Sequence, residues 1–228
     1  MGIKERHERD REAVRRAILD AARDLFVREG YQNVSIRKIA ERIEYSPAAI
    51  YSYFPSKDDI FFALAEEGFR LLSAAEGAAG GAGGAGPLDR IRDAFWHVYE
   101  FSCRHPQYFA LMFLHPDVPR ISRESERFVF VWNRKQELVR LIQQAIDERA
   151  LPGSVDAAAA CRLLVAGVLG VGAMRLSNRL GPPAQADRIA RDVLNALIAG
   201  LQAGVALESV HDLASCAGEA LEQRAAAS

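Results

Sequence analysis

Apolar positions along this chain recur at three- and four-residue spacing, and strand-type alternation is hard to find. From about Arg9 to Glu29, the residues Val14, Ala17, Ile18, Ala21, Leu25 and Phe26 share one side, which predicts an amphipathic helix stopped by Gly30. Ser35 starts a second helix, with Ile36, Ile39, Ala40 and Ile43 as its apolar side. Ser46-Pro47 starts a third: serine caps it, and proline at the first helical position loses no hydrogen bond. Pro55 ends that helix. Ser56-Lys57-Asp58-Asp59 is a capping-box-like start for a fourth, which runs through Ile60, Phe61, Leu64, Phe69 and Leu72.

The pattern then breaks. Gly77 to Gly86 contains only Gly and Ala, which predicts a flexible boundary. Pro87 with Asp89 restarts helix, with Ile91, Phe95, Val98, Tyr99 and Ser102 on one face. His105-Pro106 opens a short helix ending near His115-Pro116, and a long one follows from about Ser122 to Arg149. After a turn at Leu151-Pro152-Gly153, Ser154 is expected to cap a further long helix to about Leu180, broken by Gly181-Pro182-Pro183. The last clear helix spans Asp187 to Leu201 and repeats Ile189, Val193, Leu194, Leu197, Ile198 and Leu201, and the tail after Leu207 is expected to fray. The fold class is therefore all-α.

Composition narrows the class. At 228 residues, half of them hydrophobic, the chain can bury one large core or two modest ones. No charged-then-apolar N-terminal signal is present, and the charge-free run Leu163 to Met174 is too short to span a bilayer. Three scattered cysteines, Cys103, Cys161 and Cys216, form neither a disulfide framework nor a zinc pattern. A cytoplasmic protein without a membrane partner is the expectation. The net charge of -1 does not announce nucleic-acid binding, and residues 1–60 carry 12 Lys/Arg against 11 Asp/Glu. If DNA is bound, a few placed cations and neutral donors must do it. The basic residues gather at Arg9, Arg11, Arg15 and Arg16, and again at Arg37, Lys38, Arg42 and Lys57.

The segment from Ser35 to Phe54 has the physical requirements of a helix-turn-helix. Ile39, Ala40, Ile43 and Ile50 are apolar braces, while Ser46, Pro47, Ala48 and Ala49 are short enough to let a helix approach base edges. Reading would then lean on thymine methyls, serine hydroxyls and DNA shape. Tyr51, Ser52 and Tyr53 would then reach phosphates, and Ser35, Ile36 and Arg37 at the start of the second helix would place amides and a guanidinium against another. Lys57 at a helix start is disfavoured by the dipole, so a phosphate partner is expected for it.

These residues resemble a known family. Tyr51-Ser-Tyr-Phe-Pro-Ser-Lys-Asp-Asp-Ile60, preceded by Ser35-Ile-Arg-Lys-Ile-Ala-Glu-Arg-Ile43, is similar to the N-terminal domain of TetR/AcrR transcriptional regulators. Ile18-Leu-Asp-Ala-Ala-Arg-Asp-Leu-Phe26 and Gly30-Tyr31 fit the same pattern, so the resemblance covers roughly residues 11–67. The family usually has glycine in the turn where this chain has Glu44-Tyr45, and a slightly altered turn is expected there. His105-Pro-Gln-Tyr-Phe-Ala-Leu-Met-Phe113 resembles a segment of one large subset of the family's ligand domains.

The resemblance implies a homodimer with a small-molecule effector and a palindromic DNA operator as partners, most often a repressor, and no cofactor or catalytic residue. Its domains would be a DNA-binding domain at 1–60 with the helix-turn-helix at 35–54, a connecting helix and Gly/Ala linker at 61–86, and an effector-binding and dimerisation domain at 87–228. Recognition helices would sit roughly 34–36 Å apart or a little more, and effector binding would spread them. Trp96, Tyr99, Phe109, Met112, Phe113 and Trp132 are candidates for an apolar or aromatic effector pocket, with plain core packing as the alternative for each. The dimer bundle is expected from the last two long helices, with Gly167, Gly170 and Ala173 on one and Leu194, Leu197, Ile198 and Leu201 on the other. His97, His105 and His115 lack a carboxylate at ligand spacing, so no metal is expected. A structural DNA-associated protein without effector, or a helical enzyme with a site in the second half, stays open as an alternative.

Overall fold

The computed structural model describes residues 3–77, 86–115, 119 and 129–207. The described residues form helices and no strand. In chain order these are α1 (Ile3–Glu29), α2 (Ile36–Arg42), α3 (Pro47–Tyr51), α4 (Lys57–Gly77), α5 (Pro87–Arg104), α6 (Pro106–Phe109), α7 (Val129–Asp147), α8 (Ala157–Leu176) and α9 (Pro183–Gln202). The chain divides into two compact units, one of Met1–Gly80 with Glu100–Trp132 and the other of Gly81–Tyr99 with Asn133–Ser228. The Gly/Ala stretch 78–85, the expected start of α7 near Ser122 and the tail beyond Leu207 lie outside the described residues.

In the first unit, α1 packs on α2 and α4, and α2 packs on α3. Ile18, Phe26, Ile39, Ile50, Ile60, Phe61 and Leu64 are all buried there. The apolar positions of the periodic pattern are thus the ones folding removes from water, each worth roughly 1.5–3 kcal/mol when fully buried. α1 starts at Ile3, six residues before the predicted Arg9. Its first turns are exposed and charged, so they carry no apolar period to read. After α5, α6 passes directly into a wider π-helical turn, Ala110–Leu114, and both pack on α1 and α4.

Caps set most boundaries. The Oγ atoms of Ser35, Ser46 and Ser56 accept the N–H groups of Lys38, Ala49 and Asp59 at 3.2, 3.1 and 3.1 Å. At the end of α2 the Glu44 N–H donates to the Glu41 carbonyl and the Tyr45 N–H to that of Ala40, which is the Schellman closure. Glu44 takes the left-handed conformation this demands, at φ 59°. The turn is therefore kept without glycine, at a cost of roughly 1–2 kcal/mol.

In the second unit, α8 and α9 pack along each other. Asp156, not Ser154, caps α8: its side chain accepts the Ala159 N–H at 2.6 Å. α8 ends at Leu176 rather than Leu180, because Asn178 (φ 55°) closes the same Schellman pattern. α9 begins at Pro183, four residues before the predicted Asp187, since proline fits the first helical position. The run Leu163 to Met174 lies in a helix that is long and apolar enough, by length and composition, to cross a membrane. Cys161, Leu164, Val168 and Val171 on it are buried in the chain. Burial also pushes the Cys161 thiol pKa up.

Candidate nucleic-acid interface

The turn between α2 and α3 leaves Ser46, Pro47 and Ala48 exposed, with Ala49 half-buried and Ile50 fully inside. Tyr51 is exposed at 55 %, and the Ser52 hydroxyl donates to the Ala49 carbonyl at 2.7 Å. Small side chains therefore line the outer face of α3 and its one large apolar residue braces it from within. Ser35, Arg37, Pro47, Tyr51 and Lys57 border an open concavity of about 730 Å³. Of the predicted contacts, Ser35, Arg37, Ser46, Pro47, Ala48, Tyr51 and Ser52 are exposed, Ala49, Tyr53 and Lys57 are half-buried, and Ile36 is buried.

Ile36 is buried, and it lines the same concavity between Ser35 and Arg37. Lys57 already has partners within the chain. Its ammonium donates to the Tyr31 carbonyl at 2.9 Å and lies 4.1 Å from the centre of the Tyr31 ring. The Tyr31 hydroxyl in turn donates to the Asp58 carboxylate. Burial, then that hydrogen bond, raises the Tyr31 pKa. These contacts give a cation at a helix start partners inside the chain.

Charge is similarly spent inside the unit. Lys38 pairs with Glu29, and Arg42 lies 3.5 Å from Asp24. Arg37 forms no ion pair among the described residues, and Arg11 lies 5.8 Å from the centre of the Tyr53 ring, placing α1 beside α3 at this face. Tyr45, in the turn before Ser46, is 45 % exposed.

A polar cluster behind this face was invisible in sequence. Arg16 of α1 hydrogen-bonds Asp20 and Glu67, and Arg23 donates to Gln107 at 2.9 Å and to the Tyr108 hydroxyl at 3.0 Å. The Arg16 hydrogen bond holds the Asp20 carboxyl below the usual carboxylate range. Gly68 of α4 is needed here, because a Cβ would meet the Met112 sulfur and come within 3.2 Å of the Tyr108 ring.

The six pocket candidates fall into two groups. Trp96 and Tyr99 belong to the second unit, whereas Phe109, Met112, Phe113 and Trp132 belong to the first. Phe109 and Phe113 meet at a tilt with centroids 5.3 Å apart, and Phe109 is fully buried. Trp96 and Tyr99 lie 4.9 Å apart, and the Tyr99 hydroxyl donates to Asp187 at 2.7 Å. Of the dimer candidates, Leu194, Ile198 and Leu201 are buried inside the chain's own unit and are closed to a second copy. A Cβ on Gly167 would lie 2.5 Å from Leu197, so that glycine makes room for α9 of the same chain. Gly170 is exposed with open space around it, and Ala173 is half-buried.

Comparison with known proteins decides the family. The pattern for bacterial regulatory proteins of the tetR family matches residues 18–64, and that for the tetracyclin repressor-like C-terminal domain matches residues 92–197. The chain belongs to the TetR family. Among similar proteins, an HTH-type transcriptional repressor, Rv1474c of Mycobacterium tuberculosis, is 42 % identical over 62 residues, 27 % of this chain and 33 % of that protein. The matched stretch thus spans about a third of that relative's length. Among solved TetR-like folds, the ketosteroid transcriptional regulator KstR2 of Mycobacterium tuberculosis superposes with a TM-score of 0.64 at 20 % identity, covering 81 % of this chain and 93 % of that one. AibR, solved in complex with isovaleryl coenzyme A and operator DNA, superposes with a TM-score of 0.62 at 21 % identity, covering 80 % of this chain and 97 % of that one. At these identities the likeness establishes the fold.

Proposed function

We propose that this chain is a DNA-binding transcriptional repressor, working in the cytoplasm as a homodimer on a palindromic operator and released by a small-molecule effector. The observation that carries the reading is the outer face of α3, where Ser46, Pro47 and Ala48 stand exposed on a helix braced from within by Ile50. Short side chains there let the helix enter the major groove. Tyr51, Ser52, Arg37 and the Tyr53–Arg11 pair then take phosphates, which fix register without reading sequence. Rv1474c, 42 % identical over 62 residues, is a transcriptional repressor. The proposed division of labour keeps DNA binding in 1–60, the connection in 61–86 and effector binding with dimerisation in 87–228.

For the dimer, the exposed apolar stripe of Ala166, Gly170 and Met174 on α8, with Ala196 and Ala199 on α9, replaces the buried leucines as the contact with a second copy. Side chains this small let helices approach closely. A mobility-shift titration with palindromes from DNA flanking the chain's own gene tests the reading. A specific, salt-sensitive shift is expected, with slope reporting the phosphates contacted. Absence of a specific shift at every candidate palindrome overturns it.

A further inference from the structure

We infer that the flank of the second unit between α5 and α9 binds a planar aromatic anion of one or two rings. The inference rests on the reading that this unit answers to a small molecule, and it specifies the chemistry of that molecule. Arg92, Asp93, Trp96, Arg191, Leu194 and Asn195 line an open cavity of about 410 Å³. That is near the lower end of ligand-site volumes, about 300–1,000 Å³, and suits a compact ring system better than a long chain.

The wall of this cavity is an indole held in place. Trp96 is half-buried, its ring is packed on Tyr99, and Tyr99 is fixed by its hydrogen bond to Asp187. Across the indole lies the Arg191 guanidinium, 4.5 Å from the ring centre. Arg191 forms no ion pair or hydrogen bond among the described residues. The carboxylate one helical turn before it, Asp187, is already engaged by Tyr99. Arg92 stands on the opposite helix, bonded to Asn195 at 2.9 Å and paired with Asp89. Arg92 is thus offset by Asp89, and the cavity presents the Arg191 guanidinium and the Asp93 carboxylate above a floor made by buried Leu194.

An arginine resting on an aromatic face, with its fork unspent, is prepared for exchange. A flat ring takes the indole face, and the guanidinium trades its cation–π contact for a bidentate pair with the ligand's carboxylate. Asp93 on the same wall restricts the ligand to one anionic end.

Calorimetric titration of the full chain with three acids, indole-3-acetate, 1-naphthoate and benzoate, and with their neutral amides, tests this. At least one acid is expected to bind tenfold or more tighter than its amide. Arg191→Gln should remove that preference, Arg191→Lys should restore part of it, and Trp96→Leu should weaken acid and amide together. Equal affinity for acid and amide, an acid preference that survives Arg191→Gln, or no binding by any acid overturns the inference. The acid–amide comparison uses the native chain, so it stands even where a variant fails to fold. A mobility shift with operator DNA, run without these compounds, separates the two readings. DNA binding with no acid preference removes this site alone, and acid preference without any specific shift removes the repressor reading alone.

Discussion

Two helix pairs, α2 with α3 and α8 with α9, show how differently a periodic apolar stripe can be used. In the first pair Ile39 and Ile50 are buried, and the residues left outside, Ser46 to Ala48, are those the sequence reading assigned to DNA. In the second pair the conspicuous residues, Leu194, Ile198 and Leu201, are used up within the chain. What is left outside is inconspicuous: Ala166, Gly170, Ala196 and Ala199. Periodicity identifies which face is buried; it is silent on whether the covering surface belongs to the same chain or to another.

The comparison is broken most directly at Leu194. Leu194→Ala should cost about 2–5 kcal/mol of stability, read as a lowered melting temperature, because it opens a cavity inside the unit. The exposed counterpart Ala199→Glu should leave helicity intact while shifting sedimentation from dimer to monomer. If instead Leu194→Ala dissociates the dimer with little loss of stability, the assignment of faces is reversed. In the first pair the outer face is the sensitive one. Ala48→Glu should weaken operator binding by about 1–3 kcal/mol, the usual size of a lost base contact, with circular dichroism unchanged. Glu44→Gly should stabilise the first unit by about 1 kcal/mol in thermal melts by relieving the left-handed backbone, with operator affinity retained.

The smallest effect is electrostatic. Because the folded Asp20 carboxyl lies below its unfolded value, its pairing adds stability above the ordinary carboxylate range and loses it as pH falls through the folded value. Arg16 and Asp20 are 42 % and 44 % exposed, so solvent screens the pair to about 1 kcal/mol or less. Asp20→Asn should therefore melt slightly lower at neutral pH, begin to converge with the native chain below about pH 4, and meet it only below the lowered folded value.

Much of the fold was legible because its signals are local. Ser35, Ser46 and Ser56 cap helices through atoms three residues away, and the apolar periods of α1, α4 and α5 need only one chain segment to be read. Ser154 and Asp156 compete as caps within two residues, and only the backbone geometry decides for Asp156. Contacts with distant partners were not legible. Lys57 donates to the Tyr31 carbonyl, 26 positions earlier, and Arg23 to the Tyr108 hydroxyl, 85 positions later. The same holds for Arg191, whose place over Trp96 follows from packing between separate helices. No spacing rule reaches that far.

The clasp of Tyr31, Lys57 and Asp58 has a mechanical consequence. It fastens the first turn of α4 to the segment that follows α1, so the start of α4 shares the rigidity of the helices that carry the outer face. α4 has 21 residues, and at about 1.5 Å per residue a helix of that size is a lever about 30 Å long. Tilting such a lever by about 5° displaces one end against the other by roughly 2.5 Å, close to half a helical turn. With its first turn clamped, α4 has no free play at that end to absorb the swing.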